Sequence, residues 1–158
     1  MKLYLTRHGE AASSENDSKR PLSKKGFDDI KRIAKYNKTS GNTVTHVLHS
    51  KKLRAQQTAE ILASEMLDGD NIELCADINP NDPLEPLLQL ITGLHEDTLI
   101  VGHLPYMSYL VAHLLDKPET MNQITFTPGT MVCLELPVNQ HGPWKLDTIV
   151  QPENINHT

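Results

Sequence analysis

Short apolar runs rich in β-branched residues alternate with longer amphipathic stretches along most of the chain. Strands are predicted at 3–6, 43–49, 71–74 and 98–101, and helices at 23–36, 51–66, 82–94 and 104–115. Strands that are separated by helices pair in parallel, because a parallel connection needs a crossover of roughly a dozen residues or more. The alternation therefore predicts a single-domain α/β fold with a mostly parallel sheet and helices on both of its faces.

The last part of the chain has a different pattern. Two further strands are predicted at 131–136 and 145–150, and the residues between them include Asn-Gln-His-Gly-Pro at 139–143. Such residues are typical of a hairpin turn, so these two strands are expected to be antiparallel neighbours. No repeat or linker interrupts the sequence, and residues 1–158 are expected to form one domain with a polar, frayed tail at 152–158.

Composition excludes several classes of function. The net charge of the 158 residues is -5, whereas nucleic-acid-binding domains usually carry a basic excess, so no nucleic-acid partner is expected. No apolar run approaches the roughly 20 residues that span a bilayer, so no membrane partner is expected either. The first residues lack the apolar segment of a signal peptide, and Cys75 and Cys133 are the only cysteines. We therefore expect a cytoplasmic protein, and a monomer.

Basic and imidazole side chains lie where three of the predicted strands end. Arg7 and His8 come directly after the first strand, Arg54 lies at the start of the helix after the second, and His103 follows the fourth. Parallel strands end at one edge of a sheet, where α/β folds build their ligand sites and helix N-termini favour anions. Arginine matches phosphate with a fixed fork of donors, and imidazole can act as a nucleophile. These residues therefore indicate an anion site.

The same residues lie in motifs that resemble the histidine phosphatase superfamily. The motifs are Arg7-His8-Gly9, then Ser50 to Thr58 in the form S-x-x-x-R-A-x-Q-T, then Gly102-His103. The chain length, together with Arg20-Pro21-Leu22-Ser23-x-x-Gly26 and Gly102-His103-Leu104-Pro105, is most similar to the SixA-type phosphohistidine phosphatases. The resemblance runs from residue 3 to about residue 115.

This resemblance implies a two-step phosphoryl transfer to water. His8 would attack phosphorus and form a phosphohistidine intermediate, while its other ring nitrogen donates to a backbone carbonyl. Arg7, Arg54 and His103 would bind the phosphoryl oxygens and stabilise the transition state, and Arg20 is expected to approach the same pocket. The implied activity is hydrolysis of phosphohistidine on a partner protein, with a histidine phosphotransfer domain of a phosphorelay as the expected partner.

No metal ion or other cofactor is expected. His46 and His49 are three residues apart in a predicted strand, so they point to opposite faces of the sheet. Asp82 and Glu85 are candidates for a general acid, but neither lies in a recognisable acid motif, and Asp82 before a proline is typical of a helix N-cap. The role of the polar loop 10–19 stays open.

Two alternatives also stay open. One is a metal-independent phosphomonoesterase that acts on a small phosphorylated metabolite, and a carboxylate within reach of the phosphate would favour it. The other is a catalytically inactive phosphate-binding module, against which the presence of His8 argues. An imidazole leaving group needs less help from an acid than an alkoxide does, because its neutral form is favoured near pH 7. The missing acid motif therefore favours phosphohistidine as the substrate.

Overall fold

A six-stranded sheet forms the centre of the computed structural model, which describes residues 1–137 and 141–155. The strands are β1 (Lys2–Arg7), β2 (His46–His49), β3 (Ile72–Leu74), β4 (Thr98–Gly102), β5 (Met131–Glu135) and β6 (Lys145–Val150). Their order in the sheet is β3-β2-β4-β1-β5-β6. The pairs β3–β2, β2–β4 and β4–β1 are parallel, whereas β5 is antiparallel to both β1 and β6. The predicted single-domain α/β fold with a mostly parallel sheet is confirmed.

Helices connect the strands of this sheet. They are α1 (Lys24–Thr39), α2 (Leu53–Met66), α3 (Glu85–Thr92), α4 (Tyr106–Leu115) and α5 (Thr120–Gln123), with 3-10 turns at Asp17–Lys19 and Pro152–Asn154. The hydroxyl of Ser23 caps α1 by accepting a 3.0 Å hydrogen bond from the Gly26 amide. None of the helices in the described part of the chain is long and apolar enough to cross a membrane.

The central strands bury both of their faces. Leu5 and Ile100 belong to one apolar cluster and Tyr4 and Leu99 to another, because successive strand residues point to opposite sides of a sheet. The first cluster includes Leu87 and Ile91 of α3 with Met107 and Leu110 of α4, and the second includes Ile30 and Ile33 of α1 with Leu62 and Met66 of α2. Helices therefore cover both faces, as the sequence predicts.

The start of α3 differs from the prediction. Asp82 is not a helix cap: its carboxylate accepts 2.9 Å hydrogen bonds from the backbone and side-chain nitrogens of Asn79 and so closes a turn. The helix begins three residues later, at Glu85, with Pro86 in its first turn. An aspartate before a proline is favoured both at an N-cap and in a turn, so the local sequence did not distinguish the two.

The end of the chain also differs from the prediction. Residues 152–155 are not frayed, because Pro152–Asn154 form a 3-10 turn and Arg32 of α1 donates a 2.9 Å hydrogen bond to the Pro152 carbonyl. The remaining tail, 156–158, lies outside the described residues, as do residues 138–140 of the predicted hairpin turn. The antiparallel pairing of β5 and β6 is itself as predicted.

Candidate active site

The carboxyl edge of the sheet brings three distant segments of the chain together. His8 follows β1, Arg54 is the second residue of α2, and His103 follows β4. The ring centroids of His8 and His103 lie 5.0 Å apart, and Nε2 of His8 lies 3.4 Å from Nε of Arg54. The two histidines meet because β1 and β4 are parallel neighbours in register, with Arg7 opposite Gly102. Four of the predicted site residues thus converge on one edge.

Backbone contacts fix the orientation of the His8 ring. Its Nδ1 lies 2.7 Å from the carbonyl oxygen of Gly9. Because a carbonyl can only accept, Nδ1 carries the proton and Nε2 keeps its lone pair. The Gly9 amide in turn donates to the hydroxyl of Thr58 at 3.1 Å, and that hydroxyl donates to the Arg54 carbonyl at 2.8 Å. The turn that carries His8 is therefore tied to the helix that carries Arg54.

Burial and nearby cations keep both histidine rings neutral. Desolvation is the largest cause that lowers the pKa of His8 to about 4; the hydrogen bond to Gly9 opposes it, and the charges of Arg54 and Arg7 add to the lowering. Desolvation also lowers the pKa of His103 to about 3, with further contributions from His8 and Arg54. At neutral pH, Nε2 of His8 is therefore an unprotonated nitrogen that is able to attack an electrophile.

The two guanidinium groups are held by backbone carbonyls. Nη1 of Arg7 donates to the Phe126 carbonyl at 2.8 Å, and Nη1 of Arg54 donates to the Asp17 carbonyl at 2.8 Å. Within the described ranges, the buried Nε of Arg7 has no hydrogen-bond partner, and burial lowers the pKa of this side chain. A buried donor without a partner is unfavourable. The charge and the free donor of Arg7 suit an anionic oxygen.

The hydroxyl of Ser50 orients His103, although Ser50 was not among the predicted site residues. His103 is only 2% exposed, and its Nε2 is hydrogen-bonded to the hydroxyl of Ser50. The same hydroxyl accepts a 3.3 Å hydrogen bond from the Lys52 amide. Ser50 is the first residue of the motif that contains Arg54, so its position in that motif was the available signal.

The loop 10–19 closes one side of this pocket through Asp17. One carboxylate oxygen of Asp17 lies 2.6 Å from Nζ of Lys52 and 3.5 Å from Nη2 of Arg54. The other oxygen lies 3.5 Å from Nη1 of Arg20, whose Nε also donates to the Ala12 carbonyl at 3.0 Å. Arg20 therefore reaches the rim through Asp17, and its charge contributes to the low pKa of His8. Neither Asp17 nor Lys52 carried a signal in the sequence.

The histidines considered as metal ligands and the aspartate considered as a general acid form hydrogen bonds to other groups. In the two described ranges, no group of three or more His, Cys, Asp or Glu side chains is arranged to hold a metal ion. His46 donates to Glu73 at 2.7 Å, and Nδ1 of His49 lies 2.9 Å from the Ser50 carbonyl oxygen. Asp82 bonds to Asn79. The pocket around His8 is thus lined mainly by cationic and imidazole groups.

A pocket with a neutral histidine and clustered arginines at the carboxyl edge of an α/β sheet is suited to phosphoryl transfer. Residues 3–78 match the family model described as the histidine phosphatase superfamily (branch 1). The chain belongs to this superfamily, it is similar to the SixA type, and it is a phosphatase.

Similar proteins extend this match to nearly the whole chain. The phosphohistidine phosphatase SixA of Escherichia coli (strain K12) is 28% identical over 151 residues, which are 92% of this chain and 93% of that protein. The structure of the protein histidine phosphatase SixA complexed with tungstate has a TM-score of 0.83 at 28% identity, and covers 98% of this chain and 99% of that one. A protein from Agrobacterium tumefaciens that carries the SixA name shares the fold, with a TM-score of 0.81, 23% identity and coverages of 96% and 97%.

Proposed function

We propose that this phosphatase hydrolyses phosphohistidine on a partner protein through a covalent intermediate on His8. The observation that carries the proposal is the state of His8, a neutral ring whose Nδ1 is bound to the Gly9 carbonyl and whose Nε2 faces Arg54. Such a nitrogen can attack phosphorus while the adjacent cation attracts the phosphoryl oxygens. The name of the E. coli relative, a phosphohistidine phosphatase, supports the substrate class.

In the first step, the lone pair on Nε2 of His8 attacks the phosphorus atom of the substrate. The substrate ring carries a proton on its other nitrogen, so when the bond from phosphorus to this ring breaks, the electron pair stays on the departing nitrogen and the substrate leaves as neutral imidazole. The His8 ring becomes cationic because Nδ1 keeps its proton, and the Gly9 carbonyl stabilises that charge through the existing hydrogen bond. Arg7 and Arg54 neutralise the charge on the phosphoryl oxygens, and His103 lies close enough to His8 to contact one of them.

In the second step, water attacks the phosphorus of phosphorylated His8. The bond between phosphorus and Nε2 breaks, the electron pair returns to Nε2, and inorganic phosphate forms with the oxygen of the water. One proton of the water leaves to solvent or to phosphate oxygens, and His8 is again neutral. The low pKa of His8 favours this return, because burial and the nearby arginines oppose protonation of the free ring.

The pocket gives little support to a phosphomonoester substrate. Asp17 is a carboxylate at the rim, which is what a phosphomonoesterase would need as a proton donor. However, hydrogen bonding to Lys52 and the charge of Arg54 lower its pKa to about 2, so Asp17 is ionised at neutral pH and has no proton to donate. An imidazole leaving group can depart without such a donor. A histidine phosphotransfer domain, which presents phosphohistidine at its surface, is the proposed partner.

Trapping the intermediate tests this function. Brief incubation with a radiolabelled, phosphorylated histidine phosphotransfer domain and an alkaline quench should leave acid-labile label on His8. The variant His8→Asn should lose the label and roughly 1,000-fold or more of the rate, because the nucleophile is removed. The matched control is His95→Asn, which changes an exposed histidine and should retain both. Label on serine, threonine or cysteine, or an active His8→Asn variant, would contradict the mechanism.

A further inference from the structure

Asp17 occupies an unusual position for a carboxylate in an anion-binding pocket. Its side chain, 57% exposed, lies among three cationic groups, with Nζ of Lys52 at 2.6 Å and the guanidinium groups of Arg54 and Arg20 both at 3.5 Å. Arg54 also contacts Nε2 of His8. One negative charge therefore lies at the mouth of the site, next to the group that is placed to bind phosphoryl oxygens.

This carboxylate opposes the binding of other anions. A phosphate dianion that binds Arg54 would come within a few ångströms of Asp17, and like charges at such a distance repel each other. Asp17 also takes up part of the positive charge of Lys52 and Arg54. An incoming group that carries two negative charges and no donor therefore binds less well than it would to the cations alone.

Phosphohistidine differs from a phosphomonoester in a way that a carboxylate can recognise. One ring nitrogen of phosphohistidine bears the phosphoryl group, and the other can carry a proton and donate a hydrogen bond. An ionised carboxylate stabilises the protonated ring. When the phosphorus–nitrogen bond of this protonated ring breaks, the leaving group is neutral imidazole. Lys52 and Arg54 share one oxygen of Asp17, and the exposed carboxylate retains acceptor capacity toward solvent.

We propose that Asp17 determines substrate class: it accepts the ring N–H of a protonated phosphohistidine and disfavours phosphate dianions that lack such a donor. This inference rests on the proposed phosphohistidine substrate. During the reaction the proton stays on the distal nitrogen, the electron pair of the breaking bond moves into the ring, and Asp17 remains ionised. Asp17 thus stabilises a proton that the leaving group already carries, whereas the acid of a phosphomonoesterase would donate a proton to its leaving group.

The test compares Asp17→Asn with Glu15→Gln, which removes the same charge from an exposed position in the same loop. Three quantities are measured at neutral pH: turnover of a phosphorylated histidine phosphotransfer domain, turnover of p-nitrophenyl phosphate, and inhibition by inorganic phosphate. In Asp17→Asn the first should fall about tenfold or more, because an amide no longer stabilises the cationic ring. The second should rise, and the inhibition constant of phosphate should fall roughly fivefold, because a repulsive charge is gone. Glu15→Gln should match the wild-type protein.

A purely structural role of Asp17 predicts a different pattern. If Asp17 only positions Lys52 and Arg54, the variant loses activity toward both substrates together and binds phosphate more weakly, which would overturn the proposal. Equal values for the variant and the wild-type protein would overturn it as well. Failure of the proposed function has a separate signature, since wild-type protein would then not turn over phosphohistidine at all. The inhibition constants for phosphate would still decide whether Asp17 repels dianions.

Discussion

Burial and the neighbouring arginines disfavour the protonated form of His8. Burial removes the water that would solvate a charge, and Arg54 lies 3.4 Å from Nε2 of His8. The hydrogen bond to the Gly9 carbonyl acts in the opposite direction and favours the cation. The free ring is therefore neutral, and the cation becomes favourable once a phosphoryl group has added its negative charge to Nε2.

The low pKa of His8 predicts the pH dependence of the reaction. The nucleophile must be neutral, so activity is lost as the pH falls through the pKa of the free enzyme. That pKa is about 4, instead of the roughly 6.5 of an ordinary histidine. We predict that kcat/KM for p-nitrophenyl phosphate, corrected for titration of the substrate, keeps its neutral-pH value down to about pH 5.

The variant Arg54→Gln provides an internal comparison for the pH profile. The substitution removes one of the charges that lower the pKa of His8. The acid limb of the variant's pH profile should therefore move to higher pH, and its rate should also be lower. Stability must be followed by circular dichroism at each pH. The unfolded chain takes up protons below about pH 6.5 while folded His8 and His103 do not, so stability falls as the pH falls through this window. An acid limb near pH 6.5 in folded wild-type protein would contradict the prediction.

At the level of elements, the turn after β1 is packed against the first turn of α1. The Ser23 amide donates to the Glu10 carbonyl at 2.9 Å, and the Ser23 hydroxyl donates to the Glu10 carboxylate at 2.6 Å. A Cβ atom added at Gly26 would lie only 2.1 Å from the Glu10 carbonyl oxygen. Glycine is required at 26 because the backbone of the catalytic turn lies directly against the helix.

Gly26→Ala should therefore separate the turn from the helix. The methyl group forces the backbone at Glu10 to move, and Glu10 follows Gly9, whose carbonyl orients His8. We predict a loss of about 1–3 kcal/mol in the free energy of unfolding in urea, with a marked fall in kcat. The matched control is Gly93→Ala at the end of α3, where the nearest atom lies 3.6 Å from the added Cβ. Equal stability of the two variants would show that the turn accommodates a side chain at 26.

The elements that the sequence predicts are those with regular patterns. The apolar spacing of Ile30 and Ile33 in α1 follows from the burial of one face of the helix, and the short β-branched run of β4 follows from the burial of every residue of that strand. The meeting of His8 with His103 followed from parallel pairing. By contrast, Asp17 and Lys52 meet across 35 residues through loop geometry that leaves no periodic trace. The start of α3 was misplaced because Asp82 and its proline fit two local structures equally well.

At the scale of the whole molecule, an acidic chain concentrates cations at one edge. The net charge is -5. One pocket is nevertheless surrounded by four cationic side chains: Arg7 at the end of β1, Arg20 before α1, and Lys52 and Arg54 at the start of α2. These like charges repel one another, and Asp17 offsets only part of the repulsion. An oxyanion in the pocket would therefore link segments that are distant in sequence and stabilise their common arrangement.

Binding of an oxyanion should accordingly raise the thermal stability of the entire domain. A ligand at about 100 times its dissociation constant stabilises a protein by about 2.7 kcal/mol. For a chain of this size we predict that vanadate, which resembles a five-coordinate phosphoryl group, raises Tm by about 5–10 °C. EDTA should change neither Tm nor turnover, because a pocket surrounded by arginines and a lysine repels a divalent cation.

Two variants make the thermal experiment specific to the pocket. Arg54→Gln should lose most of the increase in Tm, because a buried guanidinium at the pocket no longer contacts the oxyanion. Lys35→Gln, which removes a positive charge from an exposed position on α1, should show the same increase as the wild-type protein. An equal increase in all three proteins would mean that vanadate acts through general surface charge. A fall in Tm and turnover with EDTA that Mg²⁺ or Zn²⁺ restores would instead require a metal ion in the active protein.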